Sequence, residues 1–166
     1  MPDLAALLID ETRRRLAGFV TEVRTCVELY DEDELWTRAN EKSNSVGNLV
    51  IHLCGSTRHF LCRGVGGTDY VRNRPAEFAE RGPIPRADLL KMLDAIAFEI
   101  AQVLDNVDPA RLLEVNERTG KPFSQVQLLL RVSHHWSTHA GQLVFDLKAR
   151  KPDAVSELWM KALPNL

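Results

Sequence analysis

Residues 124–149 read SQVQLLLRVSHHWSTHAGQLVFDLKA, and their apolar positions decide the fold class. Leu129, Val132, Trp136, Ala140, Leu143, Val144 and Leu147 recur at intervals of three and four, which places them on one stripe of an α-helix. Ser124 stands at the N-cap position, and Gln127, three residues on, completes a capping box. The stretch predicts a helix over about Gln125 to Ala149. At roughly 100° per residue, His135 and His139 lie about 40° apart at the edge of that stripe, while His134 points away from it toward solvent.

Working outward, three more runs carry the helical period. Leu4 to Leu29 places Leu4, Leu7, Leu8, Leu16, Phe19, Val20, Val23 and Val27 on one face. A second helix, capped by Ser43 or Ser45, is predicted from about Val46 to Cys62. A third runs from Arg86 to Val107, with Leu89, Leu90, Leu93, Ile96, Ala97, Ile100 and Leu104 on its stripe. Four long helices without an alternating strand or an internal repeat predict an all-α protein, a four-helix bundle in one domain spanning 1–166. A fifth short helix is expected from Asp153 to Ala162.

The connections differ in character. Asp31 to Ser43 is polar, Asp108-Pro109 opens a turn, and Asn116 to Pro122 reads as a loop. Gly64 to Pro85, with four glycines and three prolines, is too long for an ordinary helix–helix turn and predicts a long loop between helices 2 and 3, a lid or a dimer contact. Its glycines follow no strand and do not form a phosphate cradle. Arg72, Arg74 and Arg81 in this loop are candidates to bind a substrate or cosubstrate carboxylate.

Composition narrows the function. The chain has 166 residues, 45% hydrophobic and 27% charged, with a net charge of -2 and a pI near 6.2. This is the balance of a globular domain and the wrong one for a general nucleic-acid binder. Arg13, Arg14 and Arg15 fan around their helix and do not form a patch. No apolar run reaches the roughly 18 residues of a membrane span. The first residues lack the charged-then-apolar order of a secretory signal, and three cysteines without C-x-x-C spacing give no disulfide or zinc-thiolate framework. A cytoplasmic location is the expectation. Cys54 and the tryptophans Trp36, Trp136 and Trp159 read as packing residues, Trp159 and its companions also as dimer contacts.

Chemistry concentrates on the histidines. The H-x-x-x-H spacing of His135 and His139 puts both imidazoles within reach of one metal ion, since residues four apart are neighbours on a helix surface. No glutamate follows His135, so the H-E-x-x-H protease arrangement and its general base are missing. Gln142 and Asp146 share that angular sector and are candidates to orient an imidazole or a water. A third ligand would come from His52 or His59 in the second helix. Both lie in a polar strip with Ser45, Asn48 and Ser56, for which periodicity slightly favours a solvent face over a pocket wall.

At these residues the chain resembles a known group. The segment Ser45-Val46-Gly47-Asn48-Leu49-Val50-Ile51-His52, an S-x-x-N-L-x-x-H pattern, and His135-Trp136-Ser137-Thr138-His139-Ala140-Gly141-Gln142, an H-x-x-x-H-x-G-Q pattern, resemble the DinB-like superfamily, which includes YfiT-type metal hydrolases and bacterial thiol S-transferases. The resemblance extends over nearly the whole chain. It implies a bundle that binds a divalent metal such as zinc, nickel or iron through His52, His135 and His139, with Asn48 near the site. It implies first the transfer of a low-molecular-weight thiol of the bacillithiol or mycothiol type to a small electrophile, with metal-hydroxide hydrolysis of a small molecule as the alternative; a third reading, of another class, is a stress-associated helical protein whose metal only ties the second and fourth helices together. Homodimers are common in the group. Many relatives carry Arg where this chain has Ala140, so any task of that Arg is missing or supplied elsewhere. With reference imidazole pKa values near 6.5, loss of metal is expected between about pH 7 and 5.

Overall fold

A computed structural model describes residues 3–154 and Ser156. The chain is mostly helical. Helix α1 (Leu4–Leu29) begins where the Asp3 carboxylate accepts the Ala5 N–H and buries Leu16, Val20, Val23 and Val27. Its first turn departs from the predicted stripe, with Leu4 and Leu7 exposed. Arg15 pairs with Glu11 within the helix, whereas Arg13 reaches across to Asp105, so the arginine run is divided among local partners.

Helix α2 (Val46–Thr57) starts at a complete capping box of Ser45 and Asn48 and continues through a π-helical turn, Arg58–Arg63. The sequence predicted one regular helix to Cys62. The N–H groups of Gly64 and Gly66 instead close on the carbonyls five residues back, of His59 and Leu61. Every residue of α2 except Ile51 is buried, and so is its N-cap Ser45; Asn48, His52 and Ser56 of the polar strip thus line a covered wall and not the solvent face that periodicity slightly favours. A helix buried on all sides needs cover on its polar face as well. The segment 64–85 provides it.

That segment is more ordered than its glycines and prolines suggest. It contains the six-residue helix α3 (Arg74–Ala79), capped by the Asn73 side chain and begun with Pro75. It is strapped onto α2 by the Asn48 amide, which donates to the carbonyls of Glu77 and Glu80 at 3.0 and 3.1 Å. Asn48 is therefore a structural tie between α2 and the strap. Six residues are too few to display a helical period, which hid α3 from the sequence reading.

Helix α4 (Arg86–Asp105) and helix α5 (Gln125–Arg150) complete the long elements, and α5 opens with the predicted Ser124–Gln127 box. Before it, Val115–Asn116 (β1) and Phe123–Ser124 (β2) form an antiparallel ladder, the only sheet among the described residues. Strands of two residues carry no alternation, so the all-α expectation missed them. Helix α1 packs against α4 and α5, and α2 against the same pair, around one apolar core. Trp136 is fully buried there, and its indole N–H donates to Thr57 Oγ1 at 2.8 Å, fixing the register of α5 on α2. The predicted helix 153–162, with Trp159, lies outside the described residues except at its start. Among the described residues no helix is long and apolar enough to cross a membrane.

Trp36 closes the end of the strap. Its Nε1–H donates to Ile84 O at 3.1 Å and its ring lies against Gly47, where a Cβ would come 2.6 Å from Cζ2. Gly47→Ala therefore overpacks a fixed aromatic ring and is expected to cost about 1–3 kcal/mol, read as a lower urea midpoint with unchanged slope.

Candidate metal centre

Three imidazoles meet where α2, α5 and the strap converge. His135 and His139 project from α5 one turn apart, and His52 faces them from α2. The ring centroids are 4.9 Å apart for His52 and His135, 5.1 Å for His52 and His139, and 4.5 Å for His135 and His139. One nitrogen from each ring can be chosen so that all three lie within 4.8 Å of one another. Nitrogens bonded at about 2.0–2.1 Å to a single tetrahedral ion stand about 3.4 Å apart, within reach of small side-chain rotations.

The nitrogens are already sorted. His52 is 5% exposed, and its Nδ1 lies 2.8 Å from Glu77 Oε2. Arg72 donates to both carboxylate oxygens of Glu77 at 2.7 Å. Burial pushes the Glu77 carboxyl up, but the hydrogen bonds from His52 and Arg72 outweigh it and hold the group below the ordinary carboxylate range. Ionised Glu77 can only accept, so at 2.8 Å it engages an N–H at Nδ1 of His52, closer than the Arg72 Nη2 at 3.1 Å, and Nε2 is the ring nitrogen available to a metal. On α5, His139 Nδ1 lies 2.7 Å from the acceptor Gln142 Oε1, which leaves Nε2 as that ring's lone-pair nitrogen as well. His135 Nε2 is buried without a hydrogen-bond partner.

These rings fit a divalent cation. Its ligands must be unprotonated imidazoles whose other nitrogen is anchored by an acceptor, as two of these are. An orphaned buried nitrogen costs free energy that a metal bond would recover. Desolvation, helped by the neighbouring His139 and His52 rings, pushes His135 down to about 3, and burial lowers His139 against the opposing hydrogen bond to Gln142. The site therefore resists protonation more than the sequence implied. Between pH 6.5 and 5.5, metal binding should therefore displace fewer protons than the three that unperturbed histidines could release. The slope of log Kd against pH reads this directly, and a slope near three would contradict it.

The cluster opens onto a cleft of 780 Å³ whose walls include Phe60, Phe123, Leu130, Arg72, Arg74 and Arg131. The other candidate residues stand outside the three-histidine cluster. His134 is exposed on the far side of α5 from the core, although it borders the same cleft. His59 stacks edgewise on Phe60 in the π-helical turn and is not in the cluster. Asp146 accepts from the Tyr30 hydroxyl at 2.7 Å and from Arg150 at 2.8 Å, tying α1 to α5 instead of orienting an imidazole. Arg81 is spent on the carbonyls of Phe78 and Glu80. Arg72 serves Glu77, while Arg74 lies over the Phe78 ring at 4.9 Å. Sequence reasoning missed Glu77, which belongs to an aperiodic segment, and Arg131, which stands one turn before His135.

A mostly helical chain that gathers three histidines from two helices beside an open cleft has a cluster compatible with metal binding. The chain belongs to the family described as "Protein of unknown function (DUF1572)", whose model matches residues 3–160 and so spans all three histidines. Comparison with the curated proteins finds no match.

Proposed function

We propose that this chain is a DinB-like four-helix-bundle enzyme that uses a divalent cation on His52, His135 and His139 to transfer a low-molecular-weight thiol to a small electrophile. The observation that carries the reading is the converging triad with its pre-sorted nitrogens and the partnerless His135 Nε2. When bound, the cation supplies Lewis acidity that lowers the pKa of a thiol or water near it. The protein does the rest. Glu77 and Gln142 hold two rings in one tautomer and orientation, and the cleft beside them leaves room for a reactant.

The chain's own sulfur is unsuited to the task. Cys26, Cys54 and Cys62 are buried, and desolvation pushes each thiol up to about 12, far from a reactive thiolate. Sulfur for a transfer reaction therefore comes from a cosubstrate, of which bacillithiol and mycothiol are the candidates.

Untagged protein of measured metal content should conjugate a chromogenic electrophile such as chlorodinitrobenzene only when thiol and metal are both present. Turnover of ester or amide substrates without thiol would move the reading to hydrolysis. No turnover across a thiol panel at full metal occupancy would leave a metal-binding protein without catalysis.

A further inference from the structure

The cleft beside the triad carries a charge asymmetry that the triad does not explain. The protein is acidic overall, with a net charge of -2, yet no acidic side chain lines this cleft while three arginines do. Arg72 is neutralised by Glu77. Arg74 and Arg131 are different, since neither has a carboxylate partner among the described residues.

Both are held in place by aromatic rings. The Arg131 guanidinium carbon lies 4.4 Å from the centroid of Phe60 and 5.7 Å from that of Phe123. Arg74 lies over Phe78, whose ring is 4.6 Å from that of His52. A guanidinium laid against a ring has its rotamer freedom already reduced and keeps its N–H edge for a planar anion. Arg131 precedes His135 by four residues on α5, so it stands one helical turn from the triad. Phe60, Phe123 and the 54% exposed Leu130 give the cleft an apolar wall, beside the polar Ser56, Gln127 and His134.

From this juxtaposition we propose that the cleft selects a small carboxylate with an apolar or aromatic body, its carboxylate gripped by Arg131 and Arg74 and its body lying on Phe60, Phe123 and Leu130 beside the triad. The proposal names the substrate class of the site and rests on the reading of the triad as its reactive centre. A highly polar dicarboxylate would leave the apolar wall unused, so the arginines serve the acceptor substrate and not a polar thiol cosubstrate.

Three probes separate the possibilities: phenylacetate, its uncharged analogue phenylacetamide, and malate, each titrated calorimetrically into protein of measured metal content. Phenylacetate should bind at least about tenfold tighter than phenylacetamide and tighter than malate. In R74Q/R131Q that preference should vanish with metal content unchanged. Equal binding of acid and amide, tighter binding of malate, no binding of phenylacetate at all, or an acid preference that survives in R74Q/R131Q would overturn the proposal. The last result would mean that the carboxylate goes to the metal. A preference that depends on the arginines in protein that holds no metal would uphold the anion cleft while refuting the metal reading, so the two fail separately.

Discussion

His52→Ala, His135→Ala and His139→Ala are each expected to lose stoichiometric metal, and His134→Ala to keep it. The distinction lies in placement: the first three rings put nitrogens within 4.8 Å of one another, and His134 is exposed at the side of the cleft. Structural zinc sites with four ligands are worth about 10–16 kcal/mol, so an even share is about 2.5–4 kcal/mol per ligand, or about 10²–10³ in affinity. Metal analysis after dialysis against micromolar free zinc resolves a change of that size. The fold should survive the His135 substitution, because its Nε2 is an unsatisfied buried atom in the metal-free protein and removing it relieves a cost of about 1–3 kcal/mol. Loss of metal in all four variants alike, or retention in His135→Ala, would mean that the rings do not act as one site.

The α5 half of this site is legible in the sequence because it sits on a long periodic helix. Trp136, Ala140, Leu143 and Leu147 are buried as their spacing requires, and the angular argument that separates His134 from His135 needs only the helical repeat. The α2 half is not. Ser45, Asn48, His52 and Ser56 form a polar strip, and periodicity cannot tell a strip facing water from one facing a covering segment. What buries it is the strap, whose attachment depends on hydrogen bonds from Asn48 to backbone carbonyls about 30 residues away in sequence. The same limit hid Glu77, because a glutamate in a Gly- and Pro-rich stretch carries no signal that it will reach a buried histidine. Arg131 did carry one. It lies four residues before His135 and thus on the same face, but a charged residue opposite the apolar stripe reads as solvated surface until Phe60 and Phe123 are seen beside it.

The strap therefore connects fold to chemistry, and Glu77→Gln is the substitution that should expose the connection. The carboxylate sits between His52 and Arg72 with its side chain only 6% exposed. Glutamine preserves the shape and removes the charge. His52 then loses the anion that fixes its tautomer and strengthens its lone pair, while Arg72, 3.1 Å from the same ring nitrogen, is left without compensation. Metal affinity should fall about 10–100-fold, the usual effect of removing a carboxylate behind a ligating imidazole. Stability should fall too, by about 3–5 kcal/mol, because one member of a buried ion pair is stranded. These two losses have separate origins, and the double variant Arg72→Gln/Glu77→Gln divides them: removing the stranded cation should recover much of the melting temperature and leave the metal Kd weakened. Gly55→Ala approaches the same contact from the helix side, since a Cβ there would meet the Glu77 carboxylate, with Cδ at 2.9 Å. It should weaken metal binding in the same direction without altering any charge. If the double variant regained metal affinity along with stability, Glu77 would be a partner for Arg72 alone, and the strap would cover the site without tuning it.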